Sequence, residues 1–412
     1  MSTVFEQEGT ACGKYGLKKW FQRYIEIPTR IRPASVAGKV LALVVGLLLA
    51  VLGIVVFLTP APLWPEVDLP ELMPPQCAKQ HAELVAAGIP ASAWKVTLPH
   101  WKPAVLRPEV VGIAYLCSCA FHQRLELVAR VFSRLYREQD VFLYVVDASG
   151  GDLTVRQVED ALTVALGAGK LPSNVIVETT EHSGRVYYWG HTANVLHGLK
   201  SLLRVNQSWQ WVAHLHDGAY PLHSPEFMRH YLQERPGTNF MSCQMESASH
   251  WQWKALHLVH QCDKWVGLVE GQQFPHVEMQ QNGFQWAGGS EWWVLTRELA
   301  AYMVDERLDE LYRWMRHRCN IEEILWPSIA ASIPGFDEVV VPSLYYFTFD
   351  GRAEQKDTKH SPVNLFDETI DVAALERLMP HNFFAVKVSV QKSRVLLRWL
   401  DGQIERERLH FE

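Results

Sequence analysis

Residues 110–147 read VVGIAYLCSCAFHQRLELVARVFSRLYREQDVFLYVVD: an apolar run, a stretch of helical spacing, and a second apolar run. Positions 110–116 show no polar alternation, which is what a strand covered on both faces requires. Within 121–138 the residues Leu125, Val128, Val131, Phe132 and Leu135 recur at three- and four-residue spacing, the stripe of an amphipathic helix. Positions 141–146 form another buried strand, which ends at Asp147. A strand, a helix and a strand in that order predict a parallel pair with a helical crossover.

The pattern continues outward. Helical spacing covers 154–166 and 192–203, and strand-like runs cover 174–177 and 209–215. Ser224-Pro225 supplies an N-cap and a first-turn proline for a helix reaching about residue 233. Such alternation predicts an α/β domain with a mainly parallel sheet flanked by helices. Ligands of these sheets bind at the carboxyl ends of the strands. Asp147 therefore has two readings, a ligand contact or a cap on the turn or helix that follows. There is no internal repeat, and Gly288-Gly289-Ser290 is too short for a phosphate loop.

Upstream, residues 40–58 (VLALVVGLLLAVLGIVVFL) carry no charge and are long enough to cross a bilayer as a helix. Lys14, Lys18, Lys19, Arg23, Arg30, Arg32 and Lys39 precede the run; Glu66, Asp68 and Glu71 follow it. The positive-inside rule then predicts a type II signal anchor with everything after residue 60 lumenal. The expected organisation is a cytosolic basic tail at 1–37, a transmembrane helix at 38–59, a proline-rich stem at 60–105 and a lumenal domain at 106–412. Six prolines between residues 59 and 76 argue for the extended stem. The sequon Asn206-Gln207-Ser208 lies on the lumenal side as a glycosylation acceptor. Six lumenal cysteines (77, 117, 119, 243, 262, 319) predict disulfide bonding without fixing the pairs, and the absence of C-x-x-C argues against structural zinc. The 412 residues are 48% hydrophobic with a net charge of −6, which argues against a nucleic-acid partner. Sixteen Trp suit core filling or stacking on sugar faces.

Carboxylate, imidazole and amine positions bear the chemistry. No Asp-x-Asp pair occurs, so a diphosphate held by this chain needs side-chain cations rather than a divalent metal. His214 and His216 form an H-x-H that a strand would place on one face, a possible metal pair. In Asn320-Ile321-Glu322-Glu323, Glu323 is either the closing residue of a capping box or a general base at a helix start. Lys387 is either a solvated strand residue or a cation for a phosphate. Glu291 and Glu323 together also suit a paired-carboxylate hydrolase.

Five segments, in order, resemble the core-2/I-branching β-1,6-N-acetylglucosaminyltransferase and peptide O-xylosyltransferase family, glycosyltransferase family 14. They are Tyr187-Tyr188-Trp189-Gly190, the stretch 211–222, Gly288-Gly289-Ser290-Glu291-Trp292-Trp293, Glu322-Glu323-Ile324-Leu325-Trp326-Pro327, and 381–387. The resemblance spans roughly residues 110–400 and implies a GT-A fold with inverting, metal-independent transfer from a UDP-sugar to a glycan or glycoprotein hydroxyl. It implies Glu323 as catalytic base, with Glu291 beside the donor sugar and acceptor. Asp147 is implied as reader of the uracil. Tyr187, Tyr188, Trp189 and Trp292 line the nucleotide-sugar site, and Lys387 contacts the diphosphate. No cofactor is expected. A short basic tail, one anchor and a stem are the usual plan of Golgi transferases in such families, so a Golgi membrane location is expected.

Three departures stand out. Ala219 replaces the family's acid before Tyr-Pro, with Asp217 two residues earlier. Glu291 is one methylene longer than the Asp of the xylosyltransferase branch. Val386 stands where that branch has an Arg, leaving Arg352, Lys359 or His360 as substitutes. The donor is therefore N-acetylglucosamine or xylose, and a catalytically silent carbohydrate-binding protein of the same fold is the alternative.

Overall fold

The computed structural model describes residues 73–101, 112–119, 125–147, 153–180, 189–205, 209–215, 218–245, 257–262, 265–318, 320–336, 340–346, 365–367, 370 and 372–411. The chain divides into two compact units. One comprises Lys14–Pro74, nearly all of it outside the described residues, and the other contains Pro75–Glu412. The expected membrane anchor lies outside the described residues. Among those described, no helix is long and apolar enough to cross a membrane.

The second unit opens with helix α1 (Pro75–Ala87). A run of strands and helices follows: β1 (Ile113–Cys119), α2 (Leu125–Leu135), β2 (Val141–Asp147), α3 (Val155–Leu166), β3 (Val175–Thr180), α4 (Trp189–Arg204) and β4 (Trp211–Leu215). Next come β5 (Tyr220–Pro221), α5 (Pro225–Gln233), β6 (Asn239–Met241), β7 (Gln244–Met245), β8 (His257–Cys262), β9 (Trp265–Gln273), α6 (His276–Gln281), β10 (Ala287–Gly288) and β11 (Trp293–Thr296). The remainder is α7 (Arg297–Met303), α8 (Asp309–Met315), α9 (Leu325–Ala331), β12 (Val340–Val341), β13 (Tyr345–Tyr346), α10 (Val372–Leu378), β14 (Phe384–Ala385) and α11 (Arg394–Phe411).

Seven strands form the central sheet in the order β12-β6-β11-β4-β1-β2-β3. All neighbours are parallel except β11, which runs against both β4 and β6. Chain order moves from β1 through β2 to β3 and then returns to place β4 on the other side of β1. This reversal creates a switch point between the carboxyl ends of β1 and β4, the place where open α/β sheets bind ligands.

The buried runs divide by side-chain parity, as a pleated strand requires. Ala114, Leu116, Leu143 and Val145 pack with Leu199 and Leu202 of α4, Leu299 of α7 and Ile329 of α9. Ile113, Tyr115, Phe142 and Tyr144 pack with Phe132 of α2, Leu162 of α3 and Leu397 and Leu400 of α11. Helix α3 starts at a complete capping box on Thr154, and Ser224 caps α5 with Pro225 in its first turn.

One boundary differs from the sequence expectation. Residues 75–101 do not continue the stem, because α1 belongs to the compact unit and Cys77 is disulfide-bonded to Cys262 of β8. Pro75 opens α1 rather than breaking it: a first-turn proline gives up no helical hydrogen bond. Closing a loop of 185 residues restricts the unfolded chain. Replacing both cysteines by serine should lower stability by about 2–4 kcal/mol, read as the urea midpoint; an unchanged midpoint would show that the bridge adds nothing. Cys117 and Cys243 are buried, and Cys319 lies outside the described residues.

Next to that bridge, His81 of α1 stacks on His260 of β8 with ring centroids 5.5 Å apart, and His317 lies 6.2 Å beyond His260. Burial first, then the neighbouring His81 and Arg316 charges, push the His260 imidazole down to about 4. Burial and Arg316 do the same to His317. A depressed histidine stabilises the fold above its unfolded pKa of about 6.5 and loses that contribution as pH falls towards 4, because the unfolded chain takes the proton first. The stability advantage of the wild type over His260→Phe should therefore shrink between pH 6.5 and 4. A pH-independent difference in urea midpoints would refute this.

Candidate active site

The carboxyl edge of the sheet at the β1/β4 switch point gathers the chemistry-bearing side chains. Because β11 runs against β4, the residues just before it, Glu291 and Trp292, arrive at the edge where β4 ends. His214, near the end of β4, fixes this segment: its Nδ1 is 2.9 Å from the Glu291 carbonyl oxygen and its Nε2 is 3.1 Å from Ser118 Oγ on β1. A carbonyl only accepts, so Nδ1 carries a proton and donates to it. Both ring nitrogens are thus occupied within the protein. The metal-pair reading of H-x-H loses His214 for this reason, and His216 lies outside the described residues. Tyr345 of β13 donates to the His214 carbonyl at 2.7 Å.

The first turn of α4 brings His191 to the same place. Its Nε2 lies 2.6 Å from Glu291 Oε2, and the imidazole is only 1% exposed. Burial opposes its charged form, but the carboxylate charge and hydrogen bond of Glu291, with a smaller push from Glu322, outweigh burial and raise the His191 pKa. Glu322 is 2% exposed. Burial, then repulsion from Glu323 and Glu291, pushes its carboxyl up to about 8. Glu322 therefore carries a proton at neutral pH.

Glu323 is half-buried at the end of a single 3-10 turn, Ile321–Glu323, which precedes α9. The capping-box reading of this motif does not hold. Asn320 adopts a left-handed conformation with φ 54° and makes no side-chain cap, while its Nδ2 reaches Glu323 Oε2 at 3.4 Å. The backbone of Glu323 is held instead by the Gly289 N–H, which donates to its carbonyl at 2.8 Å. Only glycine fits there, since a Cβ at 289 would lie 1.8 Å from the Ser242 carbonyl oxygen.

Lys387 follows β14 in the small sheet β13-β14-β5 and also has a left-handed backbone, φ 63°. It lies in a bend and not in a strand. Its carbonyl accepts from Leu365 N at 2.9 Å, and the next amide, Val388, donates to Gly218 O at 2.9 Å. Gly218, with φ 78°, lies just past β4 and packs against the Lys387 backbone. Asn320 and Lys387 are the non-glycine residues with positive φ among the described residues. Such conformations cost about 1–3 kcal/mol each and concentrate at functional sites.

The segment after Gly218 is anchored from behind by α11, a support that local patterning did not reveal. Tyr220 Oη donates to Asp401 at 2.5 Å, and Arg130 and Arg134 of α2 reach the same carboxylate at 2.7 and 2.8 Å. Ser224 N donates to Glu407 at 2.8 Å.

Asp147 ends β2 at the same edge and is buried. Thr154 caps the following helix, so Asp147 is not needed as its cap. Trp189 opens α4 and packs beside Tyr312, while Trp292 is buried in the core cluster beneath α2 and α3. Tyr187, Tyr188, Asn206, Asp217, Arg352, Lys359 and His360 lie outside the described residues. Ala219 is buried. The structure thus sets Glu291 and Glu323 both near Glu322, puts Asp147 and Lys387 along the same edge, and adds His191. Sequence reasoning missed His191 because 100 residues separate it from its partner.

Residues 113–368 match the model of the Core-2/I-Branching enzyme family. A Bos taurus protein, beta-1,3-galactosyl-O-glycosyl-glycoprotein beta-1,6-N-acetylglucosaminyltransferase, is 22% identical over 250 residues, covering 60% of this chain and 55% of that one. The chain thus spans about half the length of that curated relative. Mouse xyloside xylosyltransferase 1 in its apo form has a TM-score of 0.28 at 11% identity, over 58% of this chain and 88% of that one. The S. cerevisiae mannosyltransferase Ktr4p has a TM-score of 0.26 at 11% identity, over 66% and 80%. Scores at that level do not establish a shared fold. The family match is of a different kind: it covers more than half of the sequence and contains Asp147, His191, Glu291, Glu322 and Glu323, and on it the chain belongs to the Core-2/I-branching enzyme family.

Proposed function

We propose that this chain is a GT-A glycosyltransferase that moves N-acetylglucosamine or xylose from a UDP-sugar to a hydroxyl of a glycan or glycoprotein, with inversion and without a metal ion. The observation that carries this reading is the gathering of Glu291, Glu322 and Glu323 with His191 at the switch-point edge, inside the family-matched segment. The name of the Bos taurus relative favours N-acetylglucosamine. The absence of Asp-x-Asp supports metal independence, since another charge must then meet the diphosphate.

In the transfer, a Glu323 carboxylate oxygen takes the proton of the acceptor hydroxyl. The acceptor oxygen forms its bond to the anomeric carbon as the bond to the diphosphate oxygen breaks, and the electron pair leaves with UDP. Asp147 reads the uracil, with Tyr187, Tyr188, Trp189 and Trp292 lining the nucleotide-sugar site. The Lys387 ammonium offsets charge developing on the leaving diphosphate. The uncharged, basic-flanked run 40–58 supports a single-pass type II Golgi anchor that leaves the catalytic unit lumenal, with Asn206 as its glycosylation site.

Lys387→Ala should weaken UDP binding about 10- to 100-fold, the worth of a charge-assisted contact, and excess chelator should not change the affinity of the wild type. Calorimetric titration of UDP reads both. Unchanged affinity in the variant would reject the diphosphate role. The buried Ala219, with no carboxylate where the family has one, favours the competing reading of a silent carbohydrate-binding protein. Such a protein binds sugar or UDP and transfers nothing.

A further inference from the structure

Among the described residues the candidate pocket gathers Glu291 before β11, Glu322 and Glu323 in the 3-10 turn before α9, and His191 on α4. Among the described residues, His214 of β4 also faces His191, with ring centroids 6.1 Å apart. Its two nitrogens lie within hydrogen-bond distance of the Glu291 carbonyl and the Ser118 hydroxyl, so its ring is committed to partners other than His191. If all three carboxylates ionised, these four groups together would carry a net charge of about −2 even with His191 protonated. Like charges this close and this buried resist joint ionisation.

From this geometry, and resting on the transferase reading above, we propose that His191 is a positioning residue: its imidazolium holds Glu291 as a fixed carboxylate, so that Glu323 alone acts as the base. Glu291 is pinned at both ends, its side chain by His191 and its main chain by His214. A carboxylate committed to an imidazolium is a poor proton acceptor. Glu322, the most buried acid of the three, holds its proton and adds no charge. Glu323 is the least buried of the three and, on the transferase reading, the one left to meet an acceptor hydroxyl. Removing the imidazolium would leave the Glu291 charge to act on Glu323 directly and raise the pH at which Glu323 becomes a competent base.

The first arm of the test follows the imidazole proton of His191 by NMR in the full chain, and it needs no activity. Its titration midpoint is expected above the ordinary 6.5 in the wild type and below it in Glu291→Gln. A midpoint below 6.5 in both proteins would overturn the pairing. The second arm compares pH profiles of sugar transfer. His191→Gln should move the acid limb of kcat upward by about one pH unit, with UDP affinity within about twofold of wild type. Adding Glu291→Gln to His191→Gln should return the limb towards its wild-type position even if the rate stays low. An unmoved limb in His191→Gln, with UDP still bound, would overturn the positioning role. If the wild type transfers no sugar, the transferase reading fails, and the NMR arm still decides the pairing. If His191→Gln does not fold, as lost UDP binding and an unfolded spectrum would show, His191→Asn and the Glu291→Gln titration decide the question.

Discussion

Glu323→Gln is expected to keep the fold and UDP binding and to lose about 10²–10⁴ in transfer turnover, the share that a positioned general base supplies. The amide fills the same volume, and the main-chain bond from Gly289 to the residue 323 carbonyl does not depend on the side chain. What disappears is the capacity to accept a proton. Neither neighbouring acid can take over at neutral pH: Glu322 already holds a proton, with its carboxyl pushed up to about 8, and Glu291 is paired with His191 at 2.6 Å. The loss should therefore be most complete below pH 8 and shrink above it as Glu322 ionises. Steady-state UDP release with donor and acceptor present measures this. Near-full turnover in a folded variant would remove Glu323 from the mechanism.

The second large effect concerns the opposite edge of the sheet. Asp140 is fully buried where β2 begins; its Oδ1 accepts from Ile113 N of β1 at 3.0 Å and its Oδ2 from Arg229 Nη1 of α5 at 2.7 Å. Arg229 also reaches Glu226 at 3.1 Å, and Arg137 reaches the other oxygen of Glu226 at 2.9 Å. Burial is the strongest influence on Asp140 and pushes its carboxyl up to about 6, against the pull of Arg229 and the Ile113 amide. Arg229→Met removes the main counter-charge and leaves a buried anion, which should cost about 3–5 kcal/mol of stability near pH 7.5. A carboxyl whose folded pKa is raised favours the fold at low pH and loses that benefit as pH rises through about 6. The cost of Arg229→Met should accordingly be smaller at pH 5, where Asp140 becomes neutral. Urea unfolding at the two pH values reads both effects. A change under about 1 kcal/mol, or one independent of pH, would show that the ion pair does not support this edge.

Much of the central sheet is legible in residue spacing. The apolar runs at β1 and β2 and the helical stripes of α2, α3 and α4 are long and strongly periodic, and the structure places them within a few residues of their expected limits. The parallel sheet follows from that alternation, whereas the switch point rests on the strand order, which alternation alone does not set. The two-residue strands β5, β10, β13 and β14 are too short to carry a period, so the small sheet that presents Lys387 left no local signal. The antiparallel β11, which delivers Glu291, also reads as an ordinary apolar run. Helix α1 was hidden because Pro75 suits a helix start as well as a stem.

The candidate site is legible in part, for a related reason. Glu323 and Lys387 each had a bland alternative that local sequence could not remove. What removed the capping box was backbone geometry, a left-handed Asn320 with no side-chain cap and a glycine at 289 pressed on the Ser242 carbonyl, and what took Lys387 out of a strand was its own left-handed backbone. His191 and Glu322 gain their significance from three-dimensional proximity, Glu322 through burial and His191 through a contact 100 residues away in sequence. The partner of Cys77 is equally non-local, 185 residues distant. Pairings of that range depend on the completed fold and not on the periodicity of any one element.

The central claim is metal-independent sugar transfer, and one measurement reaches it directly. The full chain is incubated with UDP-N-acetylglucosamine or UDP-xylose and a panel of glycan and glycoprotein acceptors, and UDP release is followed with and without excess chelator. Acceptor-dependent release from one of these donors is expected to survive the chelator and to be lost in Glu323→Gln. Release abolished by chelator, or no release from either donor by a protein that still binds UDP, would contradict it.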